Sequence, residues 1–543
     1  MASPILLAPI VRVIRLGKKE FEYIVIGAGS AGCVVTNRLA KAGKQVLLLE
    51  AGPSDNSFFV HTPATIMQVI GTERTFIYRS KSAPELDGRA TTIPQGRTLG
   101  GSSSVNGMVY MRGNAEDYNG WEKSGCAGWG WDDVLPVFKR AEGNERLAGK
   151  YHGTTGPFKV SDAKHKHPLS LAFVKAGQEA GYPHNDDFNG ESQEGIGFYQ
   201  TTTFNGKRSS TADTYLNEVK KMSNVTVLTD ASVQRLLLEG SKVTGVIYKD
   251  KKGLEKTVFA KSEVVLCAGA LASPKILMHS GIGPKDVLEA VDIAPVKVLN
   301  GVGKNYQDHL EIAVFGRTKE PISLLGQDKG ISALKHGLQY LAFKSGLLTS
   351  TVLESGGFVD STGDGTVDIQ FHVLPVLVGD ADIEPLEGHG ISINPCYLQP
   401  KSRGELRLTS NNPDEPVEID ARYLTEPSDM DAMLRGLKIA RNILRQPSMA
   451  SVIEHELLPS AEADVSDDVL ISHIRKYSKT VYHPSGTCKM GTDDEAVVDT
   501  KLCVHGVDNL RICDASIMPI LVSGNTNAPV VMIAERCADF ILA

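Results

Sequence analysis

The sequence predicts an α/β protein: a Rossmann-like domain joined to a second, α+β domain built on an antiparallel sheet. Three observations lead there. A short apolar run at 21–26 flows directly into Gly27-Ala28-Gly29-Ser30-Ala31-Gly32, which opens a helical pattern. Another apolar run, at 263–269, passes through a small-residue turn into a helix from Ser273. Between about residue 313 and 479 the texture changes, with strand-like and helical runs interleaved.

Taken in order, residues 33–42 place Val34, Val35 and Leu39 inward and stop at Gly43, and 45–49 form a second apolar strand closing on Glu50. This is a β-α-β unit in about 30 residues. Gly27 permits the tight turn, Gly29 lets the backbone approach a pyrophosphate, and Gly32 lets helix and strand pack. The helix N-terminus, with Ser30 and Ala31, then faces the phosphate charge. Glu50, followed by Ala51, is placed to accept hydrogen bonds from ribose hydroxyls and disfavours a 2′-phosphate. This does not separate NAD from FAD. Runs at 225–228, 231–238 and 243–248 alternate like antiparallel strands, with a turn at Glu239-Gly240. Further on, 368–372 and 391–398 read as strands, and 429–444 and 467–477 as helices. The resulting division gives 20–160, 206–312 and 480–543 to the first domain, 161–205 and 313–479 to the second, and 1–19 to a leader.

With 543 residues the chain is long enough for two well-filled cores. A net charge of −7 gives no reason to expect nucleic acid. The eight cysteines show no C-x-x-C spacing, so neither a zinc site nor a disulfide framework is indicated, and no metal is expected. A reducing cytosol fits this usage. No apolar run approaches the roughly 20 residues of a membrane span. The leader is apolar from Pro4 to Leu16 yet carries Arg12, Arg15, Lys18 and Lys19, the reverse of a secretory signal's order. It reads as a loosely ordered surface segment, with a basic-amphipathic contact to a membrane face as the functional alternative.

Two long segments carry a family resemblance. The first is Gly96-Arg97-Thr98-Leu99-Gly100-Gly101-Ser102-Ser103-Ser104-Val105-Asn106-Gly107, continuing through Met108, Val109, Tyr110 and Gly113. The second is Gly269-Ala270-Leu271-Ala272-Ser273-Pro274-Lys275-Ile276-Leu277, closing on Ser280-Gly281-Ile282-Gly283. With Gln307-Asp308-His309, His483-Pro484, Asp514-Ala515-Ser516 and Asn525-Thr526-Asn527, the chain resembles the glucose–methanol–choline (GMC) oxidoreductases from about residue 22 to 541. The resemblance is thinnest over 313–400. It implies a Rossmann-like FAD-binding first domain and a substrate-binding second one. It places Arg97, Leu99, Gly100, Ser103, Asn106, Gly107, Met108 and Val109 along the flavin, Val233 at the adenine end, and Ala268, Gly269, Asp514, Ala515 and Asn525 about the cofactor. Some members attach FAD through a histidine in the first segment. Val105 stands at that position here, so noncovalent FAD is expected.

Removing a hydroxyl proton while a hydride leaves for flavin N5 requires a base near working pH, a role that suits histidine. The resemblance assigns that base to His483, with Asn527 as its partner toward the substrate oxygen and Tyr482 lining the pocket; His309 and His372 are assigned to structure. The implied activity is oxidation of a primary aliphatic or aromatic alcohol to the aldehyde. The reduced flavin would pass electrons to a quinone, a dye-like acceptor or O2. A non-redox FAD lyase or a flavin photoenzyme is the alternative on the same scaffold. A nicotinamide-dependent dehydrogenase would leave the two long segments unexplained, and a protein keeping FAD only as structure would be expected to lose His483 or the glycines.

Overall fold

A computed structural model describes residues 19–379 and 386–543. The leader, apart from Lys19, lies outside the described residues. The strands Glu20–Ile26 and Val46–Leu49 are buried almost throughout, which is why both read as unbroken apolar runs rather than alternating ones. They pair in parallel, Tyr23 opposite Val46 and Ile26 opposite Leu49. The sheet runs Val225–Leu228, Val46–Leu49, Glu20–Ile26, Glu255–Leu266, Lys242–Lys249, Ser232–Glu239. Its longest strand, Glu255–Leu266, has three partners: it lies parallel to Glu20–Ile26 on one side and is shared between two strands on the other. The first part of Glu255–Leu266 pairs antiparallel with Lys242–Lys249, and its last residues pair in parallel with Leu510–Ile512.

The hairpin Ser232–Glu239 with Lys242–Lys249 is antiparallel, as expected from its alternation and turn. Val225–Leu228 is not: it lies parallel to Val46–Leu49, Val225 opposite Val46. A four-residue alternation reports a half-buried surface and says nothing about the direction of the neighbouring strand. Five parallel strands therefore end along one edge, at Leu228, Leu49, Ile26, Leu266 and Ile512. The residues that follow the last four are Glu50, Gly27, Cys267 and Cys513. In open α/β sheets this carboxyl edge is where ligands bind.

The helix Ser30–Lys41 packs against the C-terminal helix Asn527–Leu542. The two run side by side in the same direction. Ser30 Oγ donates to Asn527 Oδ1 at 2.7 Å, and further along both helices Arg38 reaches Glu535 with a two-pronged contact of 2.6 and 2.8 Å. Their N-termini, and so their positive dipole ends, share one place on the sheet edge.

The second sheet has eight strands, ordered Ile453–Leu458, Val314–Thr318, Gly390–Tyr397, Ile369–Leu374, Ser355–Val359, Gly195–Phe198, with Leu310–Glu311 and Lys479–Thr480 alongside. Its pairings are antiparallel. The helix Pro427–Leu444 lies on Gly390–Tyr397, at a distance set by Gly436: a Cβ there would stand 3.0 Å from Pro395. Asp467–Tyr477 is a helix as expected. One apolar cluster joins the buried faces of both sheets.

Candidate active site

The glycine loop owes its shape to contacts only glycine permits. Gly27 has φ +92°, and a Cβ on it would lie 2.5 Å from the Cys267 carbonyl oxygen; one on Gly32 would lie 1.8 Å from that of Gly27. Gly29 faces open space apart from Gly101, whose own Cβ would meet the Gly29 Cα at 2.6 Å. The loop and the 96–107 segment thus stand against each other, tied by the Gly100 N–H donating to the Ala28 carbonyl at 2.7 Å. Glu50 is buried, which pushes its carboxyl up to about 7, and it accepts from the N–H groups of Ala28 and Gly52, both at 2.9 Å. Ala51 sits in the turn that follows, and half-buried Val233 lies on the hairpin beyond. Asp514 uses its carboxylate internally, accepting from Gly269 N–H (2.9 Å), Ser273 Oγ (2.6 Å) and Ser516 N–H (2.8 Å). It anchors the 268–273 turn and leaves Ala515 half-buried beside it.

Along the 97–109 segment, Arg97 lays its guanidinium 5.2 Å from the Phe76 ring centre, and Leu99 is buried. Ser103 Oγ donates to the Gly100 carbonyl (2.6 Å) and accepts from the Thr211 N–H (3.1 Å). Gly107 faces Leu353, Met108 adopts φ +63°, unusual for a non-glycine residue, and Val109 is buried. The sequence reading missed Arg208. It is 3% exposed and bonds the carbonyls of Val60, Ser103 and Asn106 and the Asn106 side chain, while its Nη2 is buried without a partner among the described residues. Burial lowers its pKa to about 9. A buried cation with a spare donor beside a small-residue wall, next to a glycine cradle that any Cβ would fill, fits an electron-rich dinucleotide such as FAD.

His483 follows Tyr482, which is 41% exposed and held at φ +70°, a strained conformation for a bulky residue. Behind it stands Asp308. The His483 N–H donates to Asp308 Oδ1 at 2.8 Å, while Asp308 Oδ2 accepts from the hydroxyls of Tyr423 (2.8 Å), Tyr306 (3.2 Å) and Thr480. Burial without a cation raises the Asp308 carboxyl to about 6.

The imidazole is oriented by a second histidine. His309 Nε2 lies 3.1 Å from the Leu398 carbonyl, which can only accept, so that nitrogen carries the proton. Burial, reinforced by the charge of His372, lowers the His309 pKa to about 3 and keeps the ring neutral, so its Nδ1 has a lone pair. His483 Nδ1 is 3.0 Å from that lone pair and must donate to it. The Nε2 of His483 is therefore a free base. Burial is the main cause that holds the His483 pKa well below 6.5.

The structure separates the expected partners. Asn527 begins the C-terminal helix and accepts from Ser30 at the nucleotide loop. Asn525, expected only about the cofactor, meets His483 instead: its Nδ2 is 3.3 Å from Nε2, and its Oδ1 accepts from Gln370 at 3.1 Å. Two residues earlier in the same loop, Ser523 is held by Asp117 through its N–H and Oγ (2.8 and 2.7 Å) and by Gln193 through its carbonyl. His309, assigned to structure, touches the His483 ring. His372 pairs with Glu311 at 3.0 Å.

Two family descriptions, both "GMC oxidoreductase", match residues 21–311 and 400–534. The chain is 43% identical over 534 residues to the alcohol dehydrogenase [acceptor] of Pseudomonas putida, covering 96% of each. It is 41% identical to mouse mitochondrial choline dehydrogenase, over 97% of this chain and 90% of that one. Among solved structures, pyridoxine 4-oxidase from Mesorbium loti superposes with a TM-score of 0.87 at 31% identity, covering 96% of this chain and 98% of the other. A formate oxidase gives 0.90 at 25% identity, covering 97% and 99%.

Proposed function

Since the chain belongs to the GMC oxidoreductase family, whose members oxidise alcohols with FAD, we propose that it converts a primary aliphatic or aromatic alcohol to the aldehyde with His483 as base and Asn525 as its partner. The observation that carries this reading is the contact of His483 Nδ1 with His309, which leaves Nε2 its lone pair beside the Asn525 amide. When bound, FAD supplies the acceptor for the hydride leaving the carbinol carbon. His483 Nε2 takes the hydroxyl proton, and its Nδ1–H to His309 holds the ring in place while it is charged. The Asn525 Nδ2 donates to the substrate oxygen as negative charge gathers there. Gln370, on the other side of that amide, keeps its nitrogen turned toward the base.

Ser30, Asn527, Glu50, Arg208 and the 97–109 wall hold the cofactor. Val105, 7% exposed and packed with Val60 and Val69, offers no atom that could bond to it, so attachment is noncovalent. Acid precipitation should release all the yellow colour; colour remaining with the pellet contradicts this. The name of the Pseudomonas relative, alcohol dehydrogenase [acceptor], favours a dehydrogenase passing electrons to a separate acceptor. Anaerobic addition of a small panel of primary alcohols should bleach the flavin absorbance, and dye reduction should then exceed hydrogen peroxide formation in air. Flavin that stays oxidised with every alcohol would point to a non-redox enzyme.

A further inference from the structure

The helix Gly330–Phe343 turns its apolar side the wrong way for a soluble face. Ile331, Leu334, Leu338 and Leu341, at spacings of three and four, form one stripe and are 86%, 62%, 59% and 63% exposed; Phe343 adds 77%. What it packs inward is aromatic and polar. Tyr340 is 2% exposed and meets the Phe58 ring edge-on at 6.1 Å, and His336 Nε2 lies 3.0 Å from Gln327 Oε1. Phe58 (49% exposed) and Phe59 (46%), 5.8 Å apart, continue the apolar surface off the helix. Met67, 70% exposed, extends it on the turn Pro63–Gln68, which packs against Leu347–Thr349. A patch of this kind on a folded protein marks a contact surface.

Its charge selects the occupant. Over residues 325–353 there are three lysines, Lys329, Lys335 and Lys344, against one acid, Asp328, in a chain whose net charge is −7. Lys329 and Lys335 are exposed, and Lys344 arches over the Tyr340 ring at 4.1 Å. Leucine, isoleucine and phenylalanine rimmed by lysine suit an interfacial helix, its apolar stripe among acyl chains and its ammonium groups among phosphates. A second copy of this chain would bring the same lysines against each other, since a two-fold interface pairs each patch with itself.

We propose that this face docks on a lipid bilayer containing anionic headgroups, with the helix lying in the membrane plane. Among the described residues no helix is long and apolar enough to cross a membrane, so the contact is peripheral. It is distinct from the leader and independent of the proposed chemistry. The inner side of the Phe58–Gln68 region carries Val60, which packs on Val105 of the cofactor wall, so the bilayer face lies next to the active-site half of the molecule.

The test is flotation of the full-length, FAD-loaded chain with vesicles of phosphatidylcholine alone and of phosphatidylcholine with phosphatidylglycerol. Wild type should float with the anionic vesicles. Leu334→Ser/Leu338→Ser/Phe343→Ser should weaken that binding by roughly tenfold or more, and Lys329→Gln/Lys335→Gln should erase the preference for phosphatidylglycerol. FAD content and alcohol-dependent bleaching should match wild type in both, which separates this surface from the catalytic reading. As an independent measure, Leu338→Trp should show blue-shifted emission when anionic vesicles are added. The proposal is overturned if wild type fails to float or the triple-serine variant floats equally well. It is equally overturned if the patch proves to hold two copies together, seen as a dimer in gel filtration that the triple-serine variant splits.

Discussion

At the scale of single residues, the base role proposed for His483 depends on which nitrogen holds the proton, and the contact with His309 fixes that. His309→Leu removes the acceptor for the Nδ1–H and frees the ring to present the wrong tautomer; a loss of about tenfold or more in the rate of flavin reduction is expected. His309→Gln keeps an acceptor for His483 and a donor for the Leu398 carbonyl, so it should recover most of that rate and the wild-type pH profile. If both variants behave alike, His309 is only filling space. The depressed pKa of His483 has its own consequence. A histidine whose protonation is opposed by burial stays a base well below 6.5, so the acidic limb of flavin reduction should lie below that value. A limb at or above 6.5 in anaerobic stopped-flow would mean the ring is not buried as described. His483, whose role stays a proposal, was singled out in the sequence because the wording around it is distinctive. The asparagine that the structure sets beside it was not. Asn525 and Asn527 are chemically identical and two positions apart, and only the start of the C-terminal helix turns one to the base and the other to Ser30. His309 lies 174 positions from His483, and no local pattern announces that contact.

At the scale of elements, the site is braced by buried charge. Arg112, just past the 97–109 segment, pairs with Glu142 at 2.7 Å with both side chains fully buried. Glu142 also accepts from Gly153 N–H and Asn144, and contacts His152 Nδ1 at 3.0 Å. Burial pushes the Glu142 carboxyl up, but His152 and Arg112 outweigh it and the net shift is downward. Its pairing therefore adds stability above its unfolded pKa, lost as pH falls through the lower folded value. Glu142→Ala leaves Arg112 buried and unpaired, and should cost about 3–5 kcal/mol in chemical denaturation; a change below about 0.5 kcal/mol, the range of ordinary surface substitutions, would show that the pair bears no strain. Elements with a clear period were legible: the strand-turn-helix at 20–41, the hairpin at 232–249 and the helix Asp467–Tyr477. Strand direction at Val225–Leu228 was not, because pairing is a property of neighbours distant in sequence. The helix Gly330–Phe343 escaped notice in the stretch where the family resemblance is thinnest.

At the scale of the molecule, two sheets divide the work. The first ends five parallel strands at one edge, where Gly27, Glu50 and Asp514 shape the proposed dinucleotide site beside two helix N-termini. The second sheet and its flanks bring together the residues of the proposed chemistry: His309 and Asp308 come just before Leu310–Glu311, His483 just after Lys479–Thr480, and Gln370 from Ile369–Leu374. The loop 523–527 joins the halves, with Asn525 facing the base and Asn527 the nucleotide loop. The overall architecture could be read from motifs, since each glycine cradle is local. The assembly of the base could not, because it draws on strands more than a hundred residues apart. The most direct measurement is the anaerobic rate of alcohol-driven flavin bleaching in three single variants. His483→Ala should slow it roughly 100- to 10,000-fold with FAD retained, and Asn525→Ala should slow it by about tenfold or more. Asn527→Ala should leave the rate near wild type while FAD dissociates more readily. Near-normal bleaching in His483→Ala, or a reversal of the two asparagine effects, would contradict the account.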